Sequence, residues 1–300
     1  MSSTTATDRA HWRSPALGDA RVLDLPGGRL AYHDVGSGPP IVFVHGLLVN
    51  ANLWRKVVER LAPDFRCIAL DLPFGAHTLP LPAGAANTPP AAAGMVADAL
   101  EALDLDDVTL VGNDSGGALC QMLITTRPER VGRLVLTSCD YRDNFPPKLF
   151  GYLKPAARVP GLLRLLVQPF RLHLPRRTPI AFGWLTKRPI DRAAEDSYVL
   201  PAIHDAGVRR DARAFILGAD TAQTNAAADR LRKVRQPALI AWSTEDRAFP
   251  LEDGRRLAAD LPNSRFDPID DAYTFSMEDN PERLSELIAG FVREPVRDAV

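Results

Sequence analysis

The chain has 300 residues, of which 46% are hydrophobic and 24% charged, and its formal net charge is −1. This composition is typical of a globular protein with a sizeable core, and the near-neutral charge gives no basic footprint for nucleic acid. No run of about 18 apolar residues exists, so we expect no stable membrane insertion. The first twenty residues lack the apolar core of a signal peptide. We expect a cytoplasmic monomer or homodimer with a flexible tail over residues 1–20.

Predicted strands and helices alternate from residue 21 to residue 139. Residues 21–35 predict a hairpin that turns at Gly27 and Gly28. Later strands are predicted from continuous apolar runs, which are typical of strands covered on both faces. These runs fall near residues 41–44, 66–72, 108–111 and 133–136. Segments with apolar residues at helical spacing lie between them. The alternation predicts an α/β fold with a mostly parallel sheet flanked by helices.

The alternation stops at Asp140 and resumes with a predicted strand at residue 237. The intervening segment is rich in Pro, Arg and Leu and contains no strong strand pattern. We therefore predict a core formed by residues 21–139 and 228–300, interrupted by a helical cap over residues 140–227. Residues 158–177 mix leucines with five arginines, a pattern that can indicate a membrane surface. We favour a cap that covers an apolar pocket, which implies an apolar small-molecule substrate.

The most informative motif lies where the strand near residue 110 ends. It reads Gly-Asn-Asp-Ser-Gly-Gly over residues 112–117, with Asp114 at its apex. Small residues two before and two after the apex are what a nucleophile elbow requires, because its backbone is crowded. Gly112 and Gly116 satisfy this requirement only for Asp114. A carboxylate nucleophile attacks alkyl carbons and leaves an ester on the enzyme.

Four motifs in this order resemble those of the α/β-hydrolase superfamily. They are His45-Gly46 after the third strand, residues 71–75 after the fourth, the elbow, and residues 243–246 after a later strand. The Asp114 apex and the cap resemble the branch of haloalkane dehalogenases, fluoroacetate dehalogenases and epoxide hydrolases. The resemblance implies an α/β-hydrolase fold in which Asp246 is the catalytic acid and the backbone N–H groups of Leu47 and Ser115 bind an oxyanion. His45 would pack the oxyanion loop beside the substrate.

The sequence departs from that branch at the catalytic histidine. The corresponding stretch is Asp271-Ala272-Tyr273-Thr274-Phe275, so Thr274 occupies the histidine position, and no histidine follows His204. Tyr273 and Thr274 would instead fill the space beside the substrate. The Asn and Trp that bind halide in dehalogenases correspond to Leu47 and Ser115. Tyr152 and Tyr198 are both candidates for the cap tyrosines that open epoxides.

Three alternatives remain for the chemistry without that histidine. His77, in a loop that begins at the carboxyl end of a strand, is the preferred replacement base. Asp246 is the second candidate for holding water. In the third alternative, Asp114 transfers protons without becoming covalent, because burial raises the pKa of a carboxyl group. We predict an epoxide hydrolase- or dehalogenase-like hydrolase without metal or cofactor. The alternatives are a non-hydrolytic lyase, isomerase or cyclase, and an inactive ligand-binding module.

Overall fold

The structure is a computed structural model that describes residues 13–295. Its centre is one sheet of eight strands. They are β1 (Ala20–Leu25), β2 (Gly28–Val35), β3 (Pro40–Val44), β4 (Arg66–Asp71), β5 (Val108–Asp114), β6 (Val131–Cys139), β7 (Ala238–Ser243) and β8 (Ser264–Ile269). The strand order is β1-β2-β4-β3-β5-β6-β7-β8. Strand β2 is antiparallel to both of its neighbours, β1 and β4, and every other neighbouring pair is parallel. The predicted mostly parallel sheet is confirmed.

Helices form layers on both faces of the sheet, as the complete burial of β5 requires. They are α1 (Arg55–Leu61), α2 (Pro89–Ala102), α3 (Ser115–Ile124), α4 (Leu153–Arg158), α5 (Leu162–Val167), α6 (His173–Arg176), α7 (Arg192–His204), α8 (Ala206–Gly218), α9 (Thr221–Leu231), α10 (Leu251–Asp260), α11 (Ser276–Asp279) and α12 (Pro281–Arg293). One layer contains α1 against α12, and the other contains α2 and α9 against α3. No helix within residues 13–295 is long and apolar enough to cross a bilayer.

Part of the segment that we predicted to be a flexible tail is ordered in the structure. Residues 1–12 of that tail lie outside the described residues. From residue 13 onward the chain packs on the core: Leu17 is fully buried, and Arg13 Nη2 lies 2.7 Å from Asp71 Oδ2. Ser14 caps a short 3₁₀ turn, Pro15–Leu17. The tail prediction is therefore wrong for residues 13–20, because one apolar anchor and one buried ion pair attach them.

The segment between β6 and β7 forms the cap over the carboxyl end of β5. Within it, α4 contacts α5 and α8, while α7 contacts α8. Helix α9 contacts α3 and α10 instead. Residues 221–227, which the sequence placed in the cap, thus pack within the helix layer of the core. The change of partner was hidden from the sequence because only Ala219 and Asp220 separate α8 from α9, so no linker marks the boundary.

A buried carboxylate fixes the cap to the core near residue 187. Asp279 Oδ1 accepts hydrogen bonds from the backbone N–H groups of Lys187 and Arg188, both at 2.9 Å, and from the Thr186 hydroxyl at 2.7 Å. The backbone N–H of Phe275 also donates to the Leu185 carbonyl at 2.7 Å. These bonds tie the cap to the loop that contains Thr274, so the cap and the site share one framework.

Candidate active site

The turn at Asp114 has the strained geometry of a nucleophile elbow. Asp114 ends β5, precedes α3 and has φ 53° and ψ −133°, a conformation that non-glycine residues adopt only where the surroundings enforce it. A Cβ atom at position 112 would lie 2.8 Å from Gly117 Cα, and one at position 116 would lie 2.4 Å from the Val44 carbonyl oxygen. Glycine is needed at both positions so that the strand can turn directly into the helix.

The Asp114 carboxyl lies between backbone N–H groups and apolar surface. The N–H groups of Leu47 and Ser115 hydrogen-bond to it. A Cβ atom at position 46 would lie 2.2 Å from Asp114 Oδ2, so glycine is also required there. Burial, and to a smaller extent the charge of Asp246, raise the pKa of Asp114 to about 7, while the two N–H groups oppose the rise. The residues predicted to form an oxyanion hole are therefore brought to the predicted nucleophile.

Asp246 lies after β7, and Thr274 contacts it directly. Asp246 Oδ1 accepts hydrogen bonds from the N–H groups of Ala248 and Phe249 at 2.8 and 2.9 Å, and from the Thr274 hydroxyl at 2.9 Å. Its Oδ2 is buried and has no hydrogen-bond partner among the described residues. Burial raises the pKa of Asp246 to about 6, against the stabilising effect of these donors. The Ser138 side chain also lies near this carboxyl and lowers its pKa, although Oδ2 makes no hydrogen bond of ordinary geometry within residues 13–295.

Thr274 also ties the elbow to the C-terminal loop. Its side chain is fully buried, and its carbonyl oxygen accepts a hydrogen bond from Asn113 Nδ2 at 3.0 Å. The residue next to the nucleophile thereby holds the residue that contacts Asp246. The Thr274 hydroxyl donates to the acid, but a neutral hydroxyl cannot accept a proton from water at neutral pH as an imidazole does.

A third carboxyl group, Asp140, was not predicted as part of the site. It follows β6, the strand paired with β5, and its N–H donates to the Asp114 carbonyl oxygen at 3.4 Å. It is fully buried, and neither of its carboxyl oxygens makes a hydrogen bond of ordinary geometry within residues 13–295, although the Ser115 side chain is near enough to lower its pKa. Burial, and then the charge of Asp114, raise the pKa of Asp140 well above its ordinary range. The available signal was an aspartate ending a strand, which the cap boundary at residue 140 obscured.

An apolar cavity of about 140 Å³ lies above Asp114. The core supplies Leu47, Leu48, Asp114 and Ser115 to its wall, and the other lining residues come from the segment between β6 and β7. Leu163, Leu166 and Phe170 line it, in agreement with the predicted apolar cap. The charged residues in its lining are Asp114 and Arg209. Arg209 Nη1 donates to two backbone carbonyls, those of Ala202 and Ile203, at 2.7 and 3.0 Å.

None of the residues that line this cavity is a histidine. The buried His77 lies in a hydrogen-bonded link between the loop after β4 and the cap. Its Nδ1 accepts the Gly75 N–H at 3.3 Å, so its Nε2 carries the proton and donates to Asp211 Oδ2 on α8 at 3.2 Å. The Leu81 N–H donates to the same Asp211 oxygen at 2.8 Å. Both nitrogens of His77 are thus occupied by partners other than Asp114.

His45 and Tyr273, two predicted substrate contacts, also lie outside the cavity lining. His45 Nδ1 donates to the Gly46 carbonyl at 2.8 Å and its Nε2 accepts the Leu72 N–H at 2.9 Å. Burial lowers the pKa of His45 to about 4, so the neutral ring holds the oxyanion loop in place. The Tyr273 ring lies 4.4 Å from the guanidinium carbon of Arg247. Thr274, the third predicted contact, lines no part of the cavity either.

Both candidate cap tyrosines line the cavity, but their hydroxyl groups have different contacts. The Tyr152 hydroxyl donates to the Ile180 carbonyl at 2.8 Å. The Tyr198 hydroxyl is buried and has no hydrogen-bond partner among the described residues. Burial raises the pKa of Tyr198 well above its usual range, so it remains protonated at neutral pH. The charged groups that act most strongly on the Tyr198 hydroxyl are Arg55, Glu278 and Asp191, none of which lines the cavity, so this hydroxyl is directed towards the ion pairs behind the wall.

We expect His77→Ala to reduce stability without removing a catalytic base. The variant removes a buried hydrogen bond to Asp211, so the free energy of unfolding should fall by about 2 kcal/mol in urea titrations. Turnover should change less than about tenfold, because loss of a general base typically costs about 10²–10⁴-fold. His33→Ala is a matched control that also removes a buried imidazole. A loss of turnover in the general-base range for His77→Ala alone would return His77 to the mechanism.

Known proteins resemble the chain along most of its length. The model of the family described as alpha/beta hydrolase fold matches residues 39–281. The uncharacterized hydrolase YugF of Bacillus subtilis is 30% identical over 268 residues, which cover 84% of this chain and 89% of that protein. Haloalkane dehalogenase 2 of Mycobacterium tuberculosis is 28% identical over 299 residues, covering 90% of this chain and 93% of that enzyme.

The fold is also shared with solved structures. A thermophilic esterase from Thermogutta terrifontis superposes with a TM-score of 0.69 at 24% identity, covering 92% of this chain and 98% of the esterase. Its likeness concerns the fold alone, whereas the family match extends over most of the sheet, the elbow and the residues that surround Asp114. One of the two curated relatives is named as a hydrolase and the other as a dehalogenase, and with the family match this supports a hydrolytic enzyme. The chain belongs to the α/β-hydrolase fold family.

Proposed function

We propose that the protein is a hydrolase in which Asp114 attacks a carbon electrophile, an epoxide or an alkyl halide, on an apolar small molecule. One observation carries the proposal: the Asp114 carboxyl stands at the apex of a strained elbow, at the base of an apolar cavity and against two backbone N–H donors. The similarity to haloalkane dehalogenase 2 supports attack at carbon.

In the first step an Asp114 oxygen forms a bond to the substrate carbon. The carbon–halogen bond breaks and halide leaves, or an epoxide carbon–oxygen bond breaks and the freed oxygen takes a proton from a water molecule, which leaves hydroxide. The product of this step is an ester of Asp114. The apolar cavity favours the step because it removes water from the carboxylate and holds the apolar substrate against it.

In the second step water adds to the carbonyl carbon of the ester. The N–H groups of Leu47 and Ser115 stabilise the negative oxygen that develops. Asp246 is the proposed base: it lies behind the cavity lining, but its charge acts on Asp114, and its pKa of about 6 leaves it mostly ionised at neutral pH. The ester bond then breaks, the alcohol leaves with a proton, and Asp114 retains an oxygen atom from water.

A single-turnover experiment in ¹⁸O-labelled water tests this sequence of steps. With enzyme in excess over epoxide, the product should contain no ¹⁸O from its first turnover, and the peptide that contains Asp114 should gain one ¹⁸O atom. Label in the product and none in Asp114 would mean direct attack by water, contrary to the proposal. An ester that persists without release would support the attack and contradict the hydrolytic step.

The pH dependence of the first step should identify the reacting form of Asp114. A carboxylate nucleophile must be ionised, and the pKa of Asp114 is raised to about 7. We therefore expect the rate of ester formation to rise with pH and to level off above about pH 7–8. Rapid-quench mass spectrometry with an alkyl halide, whose opening needs no proton, measures this rate directly. A rate that falls over the same range would show that the protonated group reacts.

One observation favours a second candidate, a lyase, isomerase or cyclase that uses Asp114 as an acid–base group. The pKa of about 7 suits a group that both gives and takes a proton at neutral pH, and the cavity lining includes no histidine. Such an enzyme would convert its substrate without incorporating solvent oxygen into either the product or Asp114. The ¹⁸O experiment therefore distinguishes the hydrolase from this second candidate.

A further inference from the structure

The cap carries a strong local excess of positive charge. Residues 144–190 contain nine basic side chains and no acidic one. The nine are Lys148, Lys154, Arg158, Arg164, Arg171, Arg176, Arg177, Lys187 and Arg188. Because the net charge of the whole chain is −1, the remainder of the molecule is acidic. This separation of charge gives the cap a positive field that the near-neutral total conceals.

Most of these cations have no acidic partner. Arg176 pairs with Glu195 and Asp196, and Lys187 and Arg188 pair with acidic residues of the core. Within residues 13–295, no ion pair forms at the other six, which are Lys148, Lys154, Arg158, Arg164, Arg171 and Arg177. Their positive charges are therefore available to an anionic partner.

The exposed apolar side chains are concentrated on the same segment. Among the described residues, nine large apolar side chains are exposed, and all except Val22 lie between residues 152 and 184. The eight are Tyr152, Val159, Leu165, Leu166, Leu172, Leu174, Ile180 and Trp184. Leu174 is the extreme case, at 80% exposure. Exposed apolar residues so clustered indicate a binding surface rather than ordinary scatter. We call these eight residues and the six unpaired cations the cap face.

The cap face is continuous with the wall of the apolar cavity. Tyr152, Leu166 and Ile180 are exposed and also line the cavity above Asp114. Leu163 lines the cavity from the same helix, α5, that presents Leu165 outward, and Phe170 lines it two residues before the exposed Leu172. An apolar molecule held against the cap face would therefore lie next to the entrance of the cavity.

We propose that the cap face docks on the surface of an anionic lipid bilayer, so that apolar substrate enters the cavity from the lipid. Arginines alternate along the chain with exposed leucines, Arg164 with Leu165 and Arg171 with Leu172, and a bilayer surface receives both kinds of group. Nucleic acid would neutralise the cations but leave the leucines in water. A symmetric contact between the cap faces of two copies of the chain would set like charges against each other. The docking is independent of the chemistry at Asp114.

Sedimentation with vesicles tests the proposal on the whole chain. Binding to vesicles of phosphatidylcholine mixed with phosphatidylglycerol should exceed binding to phosphatidylcholine alone by at least about tenfold, and it should weaken as salt is added. Asp114→Asn should bind as the wild type does, which separates this proposal from the proposed reaction. Absence of binding to the anionic vesicles at low salt would overturn it.

Two double variants separate charge from apolar contact. Arg171→Gln with Arg177→Gln should lower the partition coefficient about 25-fold, because each cation near an anionic surface contributes about fivefold. Leu172→Ser with Leu174→Ser should lower it at least about tenfold. The matched control, Val22→Ser with Arg29→Gln, alters exposed residues outside the cap and should bind normally. Unchanged binding by both cap variants would overturn the proposal. So would a chain that self-associates through Leu172 and Leu174 without vesicles.

Discussion

Asp114→Asn is expected to reduce turnover of epoxides or alkyl halides by at least about 10⁴-fold, because an amide oxygen is a poor nucleophile and no ester can form. The substitution keeps the size and shape of the side chain, so the cavity and the N–H groups of Leu47 and Ser115 remain in place. Steady-state assays of alcohol and halide release measure the loss. The effect should appear in kcat, since the apolar contacts that bind substrate are unchanged.

Asp106→Asn provides the matched control for this experiment. Asp106 is exposed, pairs with Arg130 at the surface and precedes the same strand at its opposite end. The same change of carboxylate to amide at this position should leave turnover near the wild-type rate. If Asp114→Asn retained turnover comparable to that of Asp106→Asn, Asp114 would not be the reacting group.

The same Asp114→Asn variant is expected to be more stable than the wild type at pH 8, by up to about 4 kcal/mol. Burial raises the pKa of Asp114 from 3.8 to about 7, and each pKa unit corresponds to about 1.4 kcal/mol. The folded state therefore holds the proton more tightly than the unfolded chain does. As pH rises from about 4 to about 7 the wild type loses this stabilisation, and above pH 7 the full cost of a buried charge is present.

Urea unfolding at several pH values measures this difference. The advantage of Asp114→Asn should be largest above about pH 7 and should disappear near pH 4, where the wild-type carboxyl is protonated in both states. Asp106→Asn again serves as the control and should show no such pH dependence of its difference from the wild type. A constant difference between Asp114→Asn and the wild type would mean that burial does not raise this pKa.

Most of the fold could be predicted from short-range sequence patterns. Continuous apolar runs such as residues 41–44 predicted strands covered on both faces, and β3 is buried as expected. The glycines at 112 and 116 predicted the elbow because the turn brings position 112 against Gly117 Cα, which is a local constraint. These features are encoded within a few residues of one another, so spacing and residue type are sufficient to recognise them.

The features that could not be predicted depend on contacts between distant segments. The orientation of His77 depends on Asp211, which lies on a helix 134 residues further along the chain. The order of residues 13–19 depends on Asp71, which pairs with Arg13. The unpartnered carboxyl of Asp140 is visible only when the strand that contains it is placed beside β5. A sequence pattern identifies which groups carry chemistry but not which of them face the same cavity.

The cap illustrates the same limit at the level of a surface. The alternation of leucines and arginines over residues 158–177 predicted an amphipathic lid, and Leu163, Leu166 and Phe170 do line the cavity. The pattern could not show that Leu165 and Leu172 face outward at 67% and 68% exposure. Because the helices of the cap are short, a small rotation of each decides which leucines turn inward.

Acid-quenched peptide mapping by mass spectrometry tests the central claim most directly. After brief incubation with a reactive alkyl halide, the peptide that contains Asp114 should gain the mass of the alkyl group, and fragmentation should place that mass on the Asp114 side chain. The same peptide from Asp114→Asn should be unmodified. Product release from wild-type enzyme with no such adduct at any quench time, or an adduct on another carboxylate instead, would contradict Asp114 as the nucleophile.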